Sequence, residues 1–99
     1  MALTHWAMIV SAPGLDPATH RVDWQTDACR TVIVGVERTE DAVPVAKALV
    51  EDGVQLIELC GAFGAEPTAR LLEATGHAVP IGPVRYGPEV VAQVAAIFA

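Results

Sequence analysis

The sequence predicts an α/β domain built on a small, open, parallel sheet of four strands. Four apolar runs recur along the chain at intervals of about one strand and one helix, which is typical of repeated βα units. β-branched residues dominate the second run, and a glycine follows two of the segments with helical spacing. The predicted strands are Trp6 to Ala12, Cys29 to Val36, Val54 to Cys60 and Val79 to Tyr86.

The first connection, between strands one and two, predicts only a turn or two of helix. Asp16 is a candidate N-cap, Pro17 suits the first helical position, and the helical turns would continue through Trp24. The second strand is apolar almost throughout, which suits burial on both faces of a parallel sheet.

The second connection has helical spacing over Glu40 to Asp52 and ends at Gly53. Pro44 is tolerated if Asp41 is the N-cap, because the proline then lies in the first turn. If the helix begins elsewhere, Pro44 kinks it.

The third connection predicts a helix over Glu66 to Thr75, opened by Pro67 and ended by Gly76. Pro80 and Pro83 remove hydrogen-bond donors from the fourth strand, so that strand belongs at an edge of the sheet.

The last predicted helix, Glu89 to Ala99, follows Pro88 and is apolar on almost every side. The apolar surface of such a helix is stable only when it is buried against another surface. We therefore expect a homodimer or a larger homo-oligomer that forms through this helix.

Right-handed crossovers favour the strand order 2-1-3-4 with helices on both faces, a flavodoxin-like or Rossmann-like arrangement. Half of a (βα)₈ barrel is the alternative fold. In either fold, ligands gather at the carboxyl ends of the strands. Residues 1–99 are predicted to form one domain, because a chain of 99 residues buries one hydrophobic core.

The charge and composition argue against several classes of binding partner. The net charge of −6 argues against binding to nucleic acid, which needs clustered positive charge. The sequence has neither the basic start of a signal peptide nor a run of about 20 apolar residues, so we expect a cytoplasmic protein without membrane contact. Cys29 and Cys60 lack metal-ligand spacing, which predicts two free thiols and no metal site.

The third strand and the turn after it carry the candidate site. Glu58 and Cys60 are two residues apart, so their side chains would face the same side at roughly 6.5 to 7 Å. A carboxylate within an apolar strand needs a partner or a function. Glycines in the following turn let backbone N–H groups approach an anion. The candidate catalytic residues are Glu58, Cys60 and His20; the candidate substrate-binding residues are Ser11, Gly61, Phe63, Gly64, Arg85 and Tyr86.

Each candidate also has a structural interpretation. Glu58 would pair with Arg85 on the neighbouring strand, Cys60 would be a small core residue, and His20 would be solvated. The turn from Gly61 to Gly64 lacks the glycine fingerprint of dinucleotide-binding and phosphate-binding loops, so an ordinary strand-to-helix turn explains it equally well.

A set of short motifs runs along nearly the whole chain: Ala12-Pro13-Gly14, Asp16-Pro17, His20-Arg21, Val34-Gly35-Val36, Ala46 to Val50, Gly53 to Gly61, Phe63-Gly64 and Pro80 to Arg85. In these motifs the chain resembles the domain-of-unknown-function family 6506, most specifically from Gly53 to Gly64. Ala62 stands where this family leads us to expect a second glycine, and Pro44 where it leads us to expect an ordinary helix former. The resemblance implies no particular reaction.

Three functions fit these observations. The first is a small-molecule enzyme of the isomerase, cyclase or lyase kind without a metal or redox cofactor, in which Glu58 moves a proton and Arg85 holds an anionic group. The second is a non-catalytic module that binds a small ligand or assembles with a partner. The third, a flavin or nucleotide carrier, is supported by the fold alone.

Overall fold

A mixed five-stranded sheet carries three α-helices in the computed structural model, which describes residues 2–98. A short 3-10 turn, Thr39–Asp41, precedes the first helix. The elements in chain order are β1 (His5–Ser11), β2 (Arg21–Gln25), β3 (Arg30–Val36), α1 (Ala42–Glu51), β4 (Ile57–Leu59), α2 (Ala65–Ala74), β5 (Ile81–Pro83) and α3 (Val91–Ile97).

The strands are arranged in the order β2-β3-β1-β4-β5. β1 is parallel to both β3 and β4, and β4 is parallel to β5. The predicted order of the four parallel strands is therefore confirmed, as is the edge position of the strand that contains Pro83. The half-barrel alternative is wrong, because in a barrel neighbouring strands follow chain order.

The fifth strand, β2, was not predicted. The expected helical turns through Trp24 are wrong: Asp16 caps a short turn, and Arg21–Gln25 then runs antiparallel to β3 at the edge of the sheet. Val22 and Trp24 alternate with polar residues, the period-two pattern of a strand with one apolar side. Pairing with β3 supplies hydrogen bonds that one isolated helical turn would lack.

The helix boundaries follow the predicted signals closely. Asp41 is the N-cap of α1, and Pro44 lies in the first turn of this helix. This is the predicted alternative in which the proline is tolerated. Gly53 and Gly76 follow α1 and α2 with φ of 99° and 64°, conformations that favour glycine. α3 is shorter than predicted, and Ala99 lies outside the described residues.

The core lies between the sheet and the pair α1 and α2, which contact each other. The connections β3 to β4 and β4 to β5 step the same way across the sheet, so right-handed crossovers place both helices on one face. The expectation of helices on both faces therefore holds only for the short α3. The largest fully buried side chains are Phe63, Ile9, Ile57, Leu59, Leu71, Val32, Val34 and Val36.

The opposite side of the sheet, here called the open sheet face, is not covered by α1 or α2. It takes every second residue of each strand, and all of these are partly or fully exposed except Gly35, which lies beneath Leu15. A Cβ at Gly35 would stand 3.0 Å from Leu15 Cδ1, so the loop after β1 packs directly on this glycine. The open sheet face consists of Trp6, Met8, Val10, Val22, Trp24, Thr31, Ile33, Gly35, Glu58 and Gly82.

An arginine on β3 ties the edge strand to the end of α1. Arg30 donates two hydrogen bonds to the Asp23 carboxylate, at 3.1 and 2.7 Å, and a third to Asp52 at 3.1 Å. The hydrogen bonds from Arg30 hold the pKa of Asp23 below its ordinary value of 3.8.

Asp23→Asn should lower the stability of the protein at pH 7, and the stability of the variant should fall less steeply than that of the wild type as the pH is lowered. Because the pKa of Asp23 is lower in the folded state, its stabilising contribution is complete above its ordinary pKa. That contribution disappears as the pH falls through the folded pKa. We therefore expect the melting temperatures of wild type and variant to differ at neutral pH and to approach each other as the pH falls below the ordinary value of 3.8 and through the lower folded pKa.

Thermal unfolding followed by circular dichroism measures both melting temperatures. Asp27→Asn, which removes an exposed carboxylate in the adjacent turn, should keep the acid dependence of the wild type. A difference between Asp23→Asn and wild type that stays constant throughout the acid range, until both proteins unfold, would show that the ion pair is not its cause.

Candidate functional site

A pocket of about 850 Å³ lies where the carboxyl ends of β1, β4 and β5 meet α3. Parallel strands bring their carboxyl ends to one edge, which is why residues from four separate segments line one space. Most of the lining is apolar. It consists of Val10, Ser11, Ala12, Pro13, Cys60, Gly61, Ala62, Val84, Arg85, Tyr86, Val91, Val94, Ala95 and Phe98.

Five of the predicted site residues are brought together in this pocket: Ser11, Cys60, Gly61, Arg85 and Tyr86. The ring of Tyr86 passes beside Gly61, with its Cε2 atom 3.7 Å from the place a Cβ of that glycine would occupy. A larger side chain at position 61 would compete with a ligand for this space.

The ends of β1 and β4 are joined through the thiol. The Ser11 N–H donates to Cys60 Sγ at 3.2 Å, and the Ser11 hydroxyl donates to the Glu37 carbonyl oxygen at 3.1 Å. The Glu37 carboxylate in turn accepts a hydrogen bond from the Gly14 N–H at 3.2 Å. These bonds fix the polar part of the pocket wall.

Arg85 is the only charged side chain among the residues that line the pocket. It is exposed, and within residues 2–98 it forms no ion pair with a carboxylate. The structural interpretation that pairs it with Glu58 is therefore not present in the described part of the chain. Its guanidinium group is available to an anion that enters the pocket.

Glu58 lies outside this pocket. It is exposed on the open sheet face and lines a separate recess of about 360 Å³ with Leu56, Pro80 and Gly82. Its carboxylate is exposed because, in the part of the chain that the structure describes, neither α1 nor α2 covers that side of β4. The two spaces share Val84, and Glu58 and Cys60 face the same side of the sheet as predicted.

His20 lies at the far side of the sheet. Its carbonyl oxygen accepts a hydrogen bond from Gly35 N–H on β3, and its Nδ1 atom accepts one from Asp16 N–H at 2.9 Å. Cys60 follows β4, three strand positions away, which corresponds to about 14 Å. The structure does not bring His20 to the other candidates.

Phe63 and Gly64 lie outside the pocket. Phe63 is 1% exposed and packs in the core beneath the sheet. Gly64 is the N-cap of α2, and its carbonyl oxygen accepts a hydrogen bond from the Thr68 hydroxyl at 2.8 Å.

The wall formed by α3 was not identified from the sequence. Val91, Val94, Ala95 and Phe98 face the strand ends across the pocket. The available signal was the apolar character of this helix on all sides, which we interpreted as a subunit contact and which equally suits a pocket wall.

Within residues 2–98, no three His, Cys, Asp or Glu side chains cluster so that they would hold a metal ion. Both cysteines are unpaired and partly buried. None of the helices in this part of the chain has the length and apolar character needed to cross a membrane.

Comparison with known proteins gives one match. The model of a family of unknown function, DUF6506, matches residues 4–99, which confirms the resemblance found in the sequence. No curated protein and no solved structure matches the chain.

Proposed function

We propose that this chain, which belongs to the DUF6506 family of unknown function, binds a small and mostly apolar molecule that carries one acidic group. The binding site is the pocket between the strand ends and α3. The observation that carries this proposal is Arg85, the single charged side chain around a mostly apolar pocket.

The size and lining of the pocket support a small molecule. Its volume of about 850 Å³ lies in the range of about 300 to 1,000 Å³ that is typical of ligand sites. Val10, Val84 and Val94 would contact an apolar body, while the Ser11 hydroxyl and the Arg85 guanidinium would contact polar groups. In a chain of net charge −6, an unpaired arginine at a pocket selects for an anion.

Arg85→Gln should abolish the preference for acids without harming the fold. We would measure thermal shifts with phenylacetate and octanoate, and with the corresponding alcohols and amines. Binding to the folded state raises the melting temperature, so the acids should stabilise the wild type most. Loss of a charged hydrogen bond costs about 1.5 to 3 kcal/mol, which weakens acid binding roughly 10- to 150-fold.

Lys47→Gln is the matched control, because it removes one positive charge from an exposed position on α1, away from the pocket. It should bind the acids as the wild type does. If acids and alcohols stabilise the wild type equally, or if Lys47→Gln loses acid binding to the same degree as Arg85→Gln, the role of Arg85 is rejected.

Acid–base catalysis of the isomerase, cyclase or lyase kind is a second candidate function. Glu58 and Cys60 face the same side of the sheet in two spaces that meet at Val84. A ligand that extends past Val84 would place an acidic carbon or a carbonyl oxygen beside the carboxylate, which would then transfer a proton. This mechanism needs neither a metal nor a redox cofactor.

Several sequence-based expectations remain predictions. They are a homo-oligomer formed through α3, a cytoplasmic location, the absence of a cofactor, and a flavodoxin-like or Rossmann-like classification of the fold.

A further inference from the structure

The open sheet face is a surface of unusual composition for this chain. The protein carries a net charge of −6, yet Glu58 is the only charged residue on that face. Large apolar side chains from three adjacent strands lie side by side there, and Trp24 is 58% exposed. Contiguous apolar surface of this kind marks an interaction site.

Charge and shape both favour a second copy of this chain as the occupant. Two copies of net charge −6 repel each other least where their surfaces are nearly neutral, and cores of interfaces are depleted in charge. β1 and β3 have seven residues each, β2 has five, and β4 and β5 have three each, so the face spans roughly 400 Å² in projection. One partner contributes about 800 Å² of accessible surface to a standard dimer, so the loops beside the strands must supply the rest of the contact.

The two edges of the face are complementary in shape. At the β2 edge, Trp24 projects as an exposed indole. At the β5 edge lies the recess of about 360 Å³ whose lining includes Pro80, Gly82 and Glu58. The pairing register places Trp24 level with Pro80, on opposite sides of the central strand β1.

A two-fold axis along β1 would bring these edges together. It places β2 of one copy over β5 of the other, so each Trp24 meets the opposing recess, and the contact forms twice. The indole N–H is a hydrogen-bond donor that would come within reach of Glu58 in the recess, and this donor would offset the desolvation of that carboxylate.

We propose that two copies of this chain pack face to face through the open sheet face, with Trp24 of each copy seated in the recess beside Gly82 of the other. Two sheets packed in this way enclose their apolar side chains as in a β-sandwich. The interface lies beside α3, because Val10 of the open sheet face also lines the pocket that α3 closes. It fills the recess at Glu58, so it excludes the second candidate function, in which a ligand reaches that carboxylate.

Sedimentation velocity on three variants tests the proposal, across a range of roughly a hundredfold in protein concentration. Trp24→Glu removes the projecting indole, and Gly82→Gln fills the recess. No atom lies within 4 Å of a Cβ at Gly82, so this second substitution leaves the monomer fold unstrained. Ile97→Glu is the control on α3, because Ile97 is 77% exposed and lies outside the open sheet face.

The wild type should sediment as a dimer of 10.4 kDa chains. Trp24→Glu and Gly82→Gln should each raise the dissociation constant at least tenfold while their circular dichroism spectra stay unchanged, and Ile97→Glu should remain dimeric. A wild type that is monomeric at every concentration overturns the proposal. So does a dimer that Ile97→Glu dissociates and Gly82→Gln leaves intact.

Discussion

Phe63→Ala is expected to lower the free energy of unfolding by about 3 to 5 kcal/mol, because it removes a large aromatic side chain from a filled core. Phe63 is 1% exposed and packs with the buried residues beneath the sheet. Its backbone N–H donates to the Cys60 carbonyl oxygen at 3.1 Å, a bond that alanine can also make, so the substitution removes only the packing of the ring. Urea unfolding of wild type and variant measures the loss.

Phe98→Ala is the matched control for this substitution. Phe98 lies at the pocket wall and is 83% exposed, so its removal should change the free energy of unfolding by about 0.5 kcal/mol or less. The pair also tests the sequence-based prediction that Phe63 binds substrate. A Phe63→Ala variant as stable as Phe98→Ala, with weaker ligand binding, would favour that role over a core position.

Glu58→Gln is expected to reduce turnover about 100- to 10,000-fold if the chain is an acid–base enzyme, since glutamine keeps the shape of the side chain but cannot transfer the proton. Because Glu58 is exposed, the variant should retain the stability of the wild type within about 0.5 kcal/mol. The measurement is kcat on compounds chosen from the acids that stabilise the wild type, with proton exchange at the acidic carbon followed by nuclear magnetic resonance.

Glu73→Gln removes a carboxylate from an exposed position on α2 and should leave kcat unchanged. If Glu58→Gln also keeps the full wild-type rate, Glu58 does not transfer the proton. The proposal that Arg85 binds an acid would not be affected by this result. Acid binding and proton transfer depend on different side chains and are measured separately.

Much of the sheet follows from local patterns and one rule of handedness. The four parallel strands and their order needed only apolar runs, helix-ending glycines such as Gly53, and right-handed crossovers. The edge strand β2 was missed because Asp16 and Pro17 also suit a helix start. Pairing between Trp24 and Thr31 across the short turn from Thr26 to Cys29 decides the conformation there, and the alternation of Val22 and Trp24 was the signal that could have predicted it.

The part of the candidate site that lies at the strand ends was predictable, because the carboxyl ends of parallel strands meet at one edge of the sheet. Ser11, Cys60 and Arg85 come together because each stands at the carboxyl end of a strand. The exposure of Glu58 was not predictable, because an apolar strand gives no sign of whether a helix covers its second face. The position of α3 depends on packing between distant segments, which short-range periodicity does not encode.

The prolines around β5 have a consequence for how the protein associates. Pro80 accepts a hydrogen bond from Ile57 on the inner side of this strand, whereas Pro83 lies on the outer side, where its missing N–H weakens pairing with a further strand. Growth of the sheet into a continuous ribbon of many chains is therefore disfavoured on that side. A chain with more than half of its residues hydrophobic is thereby protected from fibril formation at one of its two edges.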